Sequence, residues 1–451
     1  MRRLLGFAIA AALLLPAGVA YAAPNDGVPS WAKTTNLYEV NVRQYSANSK
    51  FTSVTKDLPR LKKMGVNTLW LMPFQPIGKI RKLGSLGSPY SISNYRAVNP
   101  EFGTAADFKA LVKATHAQGM HIIIDWVANH TAWDNAWITK NPEWYTQVNG
   151  NIVIPPGTNW NDVADLNYDN QDMRKAMISA MKYWVKYFDI DGFRCDAAGM
   201  VPADFWEEAT TELAKSKKLF MLAEDGSSTN LLENAFTANY NWALKPALKA
   251  LTQGTGSSAA LYNLIQTQSY TYPKGSYPLN FITNHDENSW TSTVQADYGK
   301  SENAMAVLTY TLPGMPLLYN GQEVGLDKQL QFFEKDPIDW ASYKSSGKSR
   351  TALYTALNSI KLNNPALWAG PTGGKIDFLE TDNHEVMAFV RTRGTNRVLT
   401  VINLTDSKQI VTVPTTAGTY YALGATKPTE ISKSLKLTVS ARGYAVYSSK
   451  R

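Results

Sequence analysis

One stretch of the sequence decides the fold: MRKAMISAMKYWVKYFDIDGFRCD, residues 173–196. Its first part places apolar residues at intervals of three and four, which predicts a helix with one buried face. Its last part, Asp191–Asp196, follows this helix directly and predicts a buried strand. The strand closes with Arg194 and Asp196, so charged side chains stand at its carboxyl end.

The same alternation of helix and strand extends in both directions, from about residue 36 to residue 365. One helix is predicted to begin at Thr104, where Asp107 forms an approximate capping box. The other predicted strands are Leu37–Val42, Asn67–Met72, His121–Val127, Leu219–Glu224, Leu279–Asn284 and Met315–Tyr319. About eight such units predict an α/β fold with parallel strands, and they suit a closed (β/α)8 TIM barrel. A doubly wound open sheet remains the alternative.

Two segments depart from this rhythm. Residues 131–165 are polar and rich in Trp, Asn and Pro, which predicts a short inserted subdomain after the third strand. From residue 372 to residue 451 the chain has short β-rich segments with turn residues between them, which predicts a C-terminal antiparallel β-sandwich. Its predicted strands are Val386–Arg393, Arg397–Leu404, Gln409–Val413, Tyr420–Gly424 and Leu435–Val439. The catalytic barrel is then predicted over residues 23–371.

The first 22 residues have the composition of an export signal. Arg2 and Arg3 precede the apolar residues 4–20, and a small-residue site ends at Ala22. This pattern predicts a signal peptide over residues 1–22, cleaved after Ala22, and export to the periplasm or the medium. A membrane anchor is the alternative, and Pro16 makes it less favourable.

Composition excludes several classes of protein. Charged residues make up 18% of the chain, and the net charge of +8 comes from scattered side chains without a basic run, so no nucleic-acid partner is expected. Cys195 is the single cysteine, which excludes an intramolecular disulfide and a cysteine-based metal site. Strand alternation should turn Cys195 away from Asp196, as a buried and unreactive thiol. The mature chain is expected to be a monomer without a membrane span.

Polar clusters follow four of the predicted strands. They are Asp125 with Asn129 and His130, Arg194 with Asp196, Glu224 with Asp225, and Asn284 with His285, Asp286 and Glu287. The carboxyl ends of barrel strands open onto one mouth, so these side chains should converge there. A carboxylate directly after a buried strand is costly unless it is paired or functional. The convergence therefore predicts an active site with several carboxylates.

These segments resemble the signature regions of the α-amylase superfamily of retaining glycoside hydrolases, glycoside hydrolase family 13. The four main matches are residues 125–130 (DWVANH), 191–197 (DGFRCDA), 221–224 (MLAE) and 281–286 (FITNHD). Residues 88–90 (SPY), 165–167 (DLN) and 314–319 (GMPLLY) also fit. The matches keep the family's order across residues 30–370, and they imply the barrel fold and action on α-linked glucans.

The resemblance implies a role for each matching carboxylate. Asp196 matches the nucleophile, Glu224 the acid/base, and Asp286 the third carboxylate, which stabilises the transition state. Retaining glycosidases use such a pair to form and then hydrolyse a covalent glycosyl-enzyme intermediate. The acid needs a raised pKa, and the apolar residues 221–223 beside Glu224 suit that requirement. No cofactor is expected for the chemistry.

Four further matches are expected to bind substrate. Arg194 would keep Asp196 ionised, because a nearby cation lowers the pKa of a carboxyl group. His130 and His285 would hydrogen-bond the sugar at the cleavage point, and Tyr90 would stack beneath it.

The metal ligands stay unknown. Asn129 is the only clear match to a calcium ligand of the family. Gly199 and Met200 stand where many α-amylases have Lys-His, whose His carbonyl ligates calcium, and Asn167 stands where several calcium-binding members have Asp. Calcium prefers several oxygen ligands that include carboxylates, so a structural calcium ion is left open.

The leading interpretation is an α-amylase-like enzyme that hydrolyses α-1,4-glucosidic bonds in starch, glycogen or maltooligosaccharides. Ala197 after the nucleophile resembles α-1,4-acting members. A glucanotransferase or isomerase on the same scaffold is the alternative, because a sugar hydroxyl can intercept the same intermediate. A non-catalytic glucan-binding protein is less favoured, because all three carboxylates are present.

Trp126, Trp160 and Trp290 are expected near the mouth, either stacking on sugars or packing in the core.

Overall fold

The computed structural model describes residues 28–343, 345 and 347–451. Eight strands within these residues form a closed parallel barrel. They are β1 Leu37–Val40, β2 Thr68–Leu71, β3 His121–Val127, β4 Gly192–Asp196, β5 Phe220–Ala223, β6 Ala238–Tyr240, β7 Tyr277–Asn280 and β8 Met315–Tyr319. Each strand pairs with its sequence neighbours, and β8 pairs with β1. The TIM barrel is therefore confirmed and the open sheet excluded. The predicted signal peptide lies outside the described residues.

Helices surround the barrel. The longer ones are Phe51–Lys63, Ala105–Ala117, Gln171–Phe188, Ala203–Ala214, Leu244–Gln253, Ser258–Thr271, Glu302–Thr311 and Gly347–Asn363. The short helices Val42–Tyr45, Leu231–Asn234 and Val294–Tyr298 lie between them in the chain. The helix predicted before β4 buries the expected face, and the capping box of Thr104 and Asp107 is present.

The barrel has two layers of core. Apolar side chains such as Trp70, Leu222 and Leu279 fill its interior. A larger cluster packs between the strands and the helices, and it contains Phe108 and Cys195. Cys195 is buried with a free thiol, as predicted, and its burial raises its pKa well above the ordinary value.

A short subdomain follows β3. Strand His130–Ala132 pairs with strand Val163–Asp165 at its base. Between them lie helix Ala136–Lys140 and a small hairpin of Gln147–Val148 and Asn151–Ile152. The insertion stands beside the barrel mouth because its first base strand, His130–Ala132, begins directly after the end of β3.

The C-terminal region forms two antiparallel sheets. The larger sheet has the order Lys375–Leu379, Val386–Arg393, Asn396–Asn403, Tyr444–Ser448, Gly418–Ala422 and Thr429–Ile431. The smaller sheet pairs Gln409–Pro414 with Ser434–Val439. Side chains from both sheets, including Leu399 and Val411, share one apolar cluster, which makes the arrangement a sandwich.

Arg391 ties the sandwich to the barrel. Its buried guanidinium donates to the carbonyl of Thr311 at 3.1 Å and to the carbonyl of Gly374 at 3.0 Å. Thr311 is the last residue of the helix before β8, so a residue of the sandwich satisfies a free carbonyl at a helix end.

Four strands of the barrel and the sandwich, within the described residues, were not predicted from the sequence. β6 has only three residues, with the polar Asn239 at its centre, so it shows no apolar run. Lys375–Leu379, Thr429–Ile431 and Tyr444–Ser448 are short and partly exposed.

In the part of the chain that the structure describes, no helix has the length and apolar character to cross a membrane.

Candidate active site

Arg194 is the centre of the barrel mouth. Its side chain is fully buried in β4. One guanidinium nitrogen, Nη1, lies 2.9 Å from Asp125 and 3.1 Å from Asp196, and the other, Nη2, lies 2.7 Å from Glu224. An arginine cannot lose its proton here, so one fixed positive charge faces three carboxyl groups.

The backbone after β4 positions the two predicted catalytic carboxyl groups together. Ala197 adopts a left-handed conformation with φ of 41°, which is uncommon for a residue other than glycine. In this conformation its N–H donates to Glu224 Oε2 at 2.8 Å. The turn that follows Asp196 therefore holds the carboxyl group of Glu224, and strained backbone of this kind is typical of functional sites.

Burial sets the protonation of these two groups. Burial raises the pKa of Glu224 to about 7; Arg194 opposes this and the charge of Asp196 adds to it. Burial also raises the pKa of Asp196 to about 6, against the opposing effect of Arg194. Arg194 lowers the pKa of Asp196, as expected, but burial outweighs it. Near pH 7 the arrangement favours an ionised Asp196 beside a partly protonated Glu224.

His285 and Asp286 follow β7 and belong to a second network. His285 Nδ1 lies 2.5 Å from Glu39 of β1, and its Nε2 lies 2.7 Å from the hydroxyl of Tyr90. Nε2 also lies 3.3 Å from Asp286. Burial lowers the pKa of His285, but Asp286 and Glu39 outweigh it and raise the value to about 9. The imidazole therefore carries a proton on both nitrogens at neutral pH.

His130 also lines the cleft and lies at the base of the insertion. Its ring contacts Trp160 edge to face, with centroids 5.5 Å apart. Burial lowers its pKa to about 4, so it is neutral at pH 7 and has one donor and one acceptor nitrogen.

A cleft of 610 Å³ joins these groups. Asp196, Glu224 and Asp286 lie on its floor, and Tyr90 and His130 line it. Its remaining walls carry aromatic and apolar side chains, including Trp160, Trp290, Phe332, Phe333 and Leu83. A cleft of this size with few convergent polar groups is typical of a site for a small or oligomeric ligand.

Comparison with known proteins decides the family. The family model for the alpha amylase catalytic domain matches residues 44–151 and 157–369, and the model for the maltogenic amylase C-terminal domain matches residues 376–446. The chain belongs to the α-amylase family. Its recognition from the sequence is confirmed, and the relatives support an enzyme of the glycoside hydrolase class.

Three relatives illustrate the range of the family around this chain. The crystal structure of a noncanonic maltogenic α-amylase AmyB from Thermotoga neapolitana has a TM-score of 0.81 and 30% identity, and the match covers 92% of this chain and 98% of that one. Alpha-amylase MalA from Haloarcula japonica is 27% identical, over 89% of this chain and 60% of its own length. An alpha-1,4-glucan:maltose-1-phosphate maltosyltransferase from Picrophilus torridus is also 27% identical, over 83% and 61%. The chain thus spans about three fifths of these two longer relatives.

Asn129 is the one clear match to a calcium ligand of the family, and its side chain contacts the neighbouring His130. Asn129 is buried, and its side-chain nitrogen lies 3.2 Å from His130 Nδ1. Among the described residues, no group of three or more His, Cys, Asp or Glu side chains could hold a metal ion. Calcium prefers several oxygen ligands that include carboxylates, so a structural calcium ion stays a prediction of the sequence.

Sequence reasoning missed two side chains that contact the predicted site residues. Glu39 and Tyr240 were not identified, although both contact predicted site residues: Tyr240 accepts from Arg194 Nε at 3.0 Å. A carboxylate inside the apolar strand β1 was the available signal for Glu39. Of the three tryptophans expected near the mouth, Trp160 and Trp290 line the cleft, whereas Trp126 is fully buried in the core.

Proposed function

We propose that the protein hydrolyses α-1,4-glucosidic bonds in starch, glycogen or maltooligosaccharides with retention of configuration. The observation that carries the proposal is the arrangement around Arg194, where the guanidinium contacts both Asp196 and Glu224 beneath an open cleft. Two carboxyl groups of different pKa at one site suit the division between nucleophile and acid. Relatives described as α-amylases support the substrate class.

In the first step Asp196 attacks the anomeric carbon and forms a covalent bond to the sugar. Glu224 gives its proton to the leaving oxygen, so that the glycosidic bond breaks without release of an alkoxide. In the second step the ionised Glu224 takes a proton from water, and the hydroxide attacks the same carbon and frees Asp196. Near pH 7 Asp196 is ionised and Glu224 is partly protonated, and this combination favours both steps.

The second network binds the sugar at the cleavage point. Asp286 remains the most open of the three carboxyl groups, with 35% of its side chain exposed, and it can accept from sugar hydroxyls as positive charge develops on the ring. The protonated His285 and the ring of Tyr90 adjoin it. His130 faces the same space from the insertion. None of these steps requires a cofactor.

Transfer to a sugar acceptor is the second candidate function. The similarity to a maltosyltransferase favours keeping it, because hydrolases and transferases of this type share the covalent intermediate. The two functions differ in whether water or a sugar hydroxyl reaches the anomeric carbon.

Incubation with maltoheptaose and chromatography of the products tests the proposal, with Asp196→Asn as the control. Only shorter oligosaccharides would support hydrolysis. Products longer than the substrate would identify a glucanotransferase. No change, or an equal product profile with Asp196→Asn, would contradict the proposal.

We also propose that the enzyme acts outside the cytoplasm, on the strength of the export pattern in residues 1–22. Expression in a bacterial host followed by mass determination of the exported protein tests this. A mature chain that starts at Ala23 is expected, and a cell-associated chain that keeps residues 1–22 would contradict it.

A further inference from the structure

Two loops meet above the barrel mouth and form a bridge, which we call the strap: residues 83–86 after β2 and residues 332–334 after β8. Leu86 N–H donates to the carbonyl of Phe333 at 3.1 Å. Ser85 N–H donates to Glu334 Oε1 at 2.7 Å, and the Ser85 hydroxyl donates to Glu334 Oε2. The strap therefore has both backbone and side-chain bonds across the join.

The two loops pack too closely for a side chain at the crossing. Gly84 has a φ of 61°, and a Cβ placed on it would lie 2.5 Å from Phe333 Cβ and 2.7 Å from Glu334 Oε1. Only glycine avoids both the contact and the backbone strain. The close approach is therefore a property of the sequence at this position.

Both halves of the strap are fixed from below by residues that follow β1. Buried Arg43 donates to the carbonyl of Gly87 at 2.9 Å. Its neighbour Gln44 donates to the carbonyls of Gln331 at 2.7 Å and Glu334 at 2.9 Å. Because β1 lies between β2 and β8 in the barrel, the strap crosses directly over β1.

The position of the strap among the barrel strands indicates which end of a bound substrate it faces. β5 is the fifth of the eight strands counted from β1, so it lies opposite β1. Glu224 follows β5 and gives its proton to the leaving oxygen, so the leaving part of the substrate must extend on that side. The part that becomes bonded to Asp196, the glycone, must therefore extend toward the strap.

The inner side of the strap lines the cleft with apolar groups. Leu83, Phe332 and Phe333 all face the cleft. Trp290 packs on them, with ring centroids 5.0 Å from Phe332 and 5.5 Å from Phe333, and is 57% exposed. Phe332 also stacks 6.0 Å from Tyr90, which lies beneath the cleavage point. An apolar wall thus runs from the cleavage point to the strap.

We propose that the strap closes the glycone end of the cleft, so that the enzyme removes short products from the non-reducing end of a glucan instead of cutting at internal bonds. The proposal rests on the hydrolysis of α-1,4-glucans set out above. A chain that continued past the strap would have to pass through the bonds between Ser85 and Glu334. The strap lies on the glycone side, so a glucan that is long on the leaving side can still bind.

A substrate with a blocked non-reducing end tests the proposal. The probes are maltoheptaose and the same compound with a 4,6-ethylidene group on its non-reducing glucose, and chromatography measures the rate at which each is cleaved. The wild-type enzyme should cleave the blocked compound at least about tenfold more slowly, which is the low end of discrimination by one small added group. The double variant Ser85→Ala/Glu334→Ala should raise the ratio of the blocked to the unblocked rate, and Glu334→Gln should raise it less.

Asp339→Ala is the matched control, because Asp339 lies on the same loop and bonds to Ser342 outside the strap. Its rate ratio should equal the wild-type ratio. Thermal denaturation of each variant shows that it is folded. Equal wild-type rates on the two probes would overturn the strap proposal while leaving hydrolysis intact, as would a double variant with an unchanged ratio. Cleavage of neither probe would overturn both proposals.

Discussion

Replacement of Glu224 by Gln tests the acid/base assignment with little change of shape. The variant keeps an oxygen to accept from the Ala197 N–H but has no proton to give to the leaving group. Cleavage of maltoheptaose should fall by about 10²–10⁴-fold, the usual contribution of a positioned acid. This corresponds to about 2.7–5.4 kcal/mol of lost transition-state stabilisation, at about 1.36 kcal/mol for each factor of ten.

The raised pKa of Glu224 adds a second, independent result. With a value of about 7, about half of the Glu224 carboxyl groups are protonated at neutral pH, whereas a carboxyl group of ordinary pKa near 4.3 would be almost fully ionised. In the wild type, kcat/KM should therefore fall as the pH rises through about 7, because the acid is lost. It should also fall as the pH drops below about 6, because Asp196 becomes protonated. Glu224→Gln should lose the alkaline fall and keep the acid one.

The assay compares two substrates. α-Maltosyl fluoride releases fluoride without help from an acid, so Glu224→Gln should lose far less activity on it than on maltoheptaose. The matched control is Asp196→Asn, which should lose activity on both because the attacking group is gone. Equal losses of Glu224→Gln on the two substrates would refute the role of Glu224 as the acid.

Three further predictions concern single side chains. Asp196→Asn should melt at the wild-type temperature but lose nearly all turnover of maltoheptaose; near wild-type turnover would contradict its role. Glu39→Gln should lower the pKa of His285, now about 9, because one of two neighbouring charges is removed; an NMR titration of the imidazole measures this, and an unchanged titration would count against it. Burial raises the pKa of Asp191, but hydrogen bonds from neighbouring histidines and Lys217 hold it well below its usual range. The contribution of ionised Asp191 to the stability of the folded state is complete above the unfolded-state pKa of about 4 and is lost as the pH falls toward the folded-state pKa. Asp191→Asn should therefore lower the melting temperature more at pH 7 than at pH 3, and an equal effect at both would show that the charge is unimportant.

The sequence predicts the floor of the site well because its residues follow strands. Asp196, Glu224 and Asp286 come at the ends of β4, β5 and the segment after β7, and the barrel topology alone brings such ends together. The apolar periodicity of the helix before β4 similarly fixes which of its faces is buried. These features depend on short-range patterns that the chain shows directly.

The walls of the site escape prediction for a physical reason. Phe332, Phe333 and Ser85 lie in irregular loops without periodicity, and their positions depend on contacts between segments 249 residues apart, such as that of Ser85 with Glu334. Glu39 is hidden for another reason: its strand is apolar, and only its pairing with His285 shows that the charge has a partner. Strand β6 is missed because three residues with a polar centre carry too little signal.

The buried state of Cys195 has a practical consequence. Its thiol is shielded between the strands and the helices, and burial raises its pKa, so maleimide reagents should leave it unmodified at neutral pH. A cysteine introduced at an exposed position such as Val148, in the hairpin of the insertion, would then be the only reactive thiol in the molecule. A single fluorescent dye at that position could follow the insertion during turnover, with no need to remove the native cysteine beside the nucleophile.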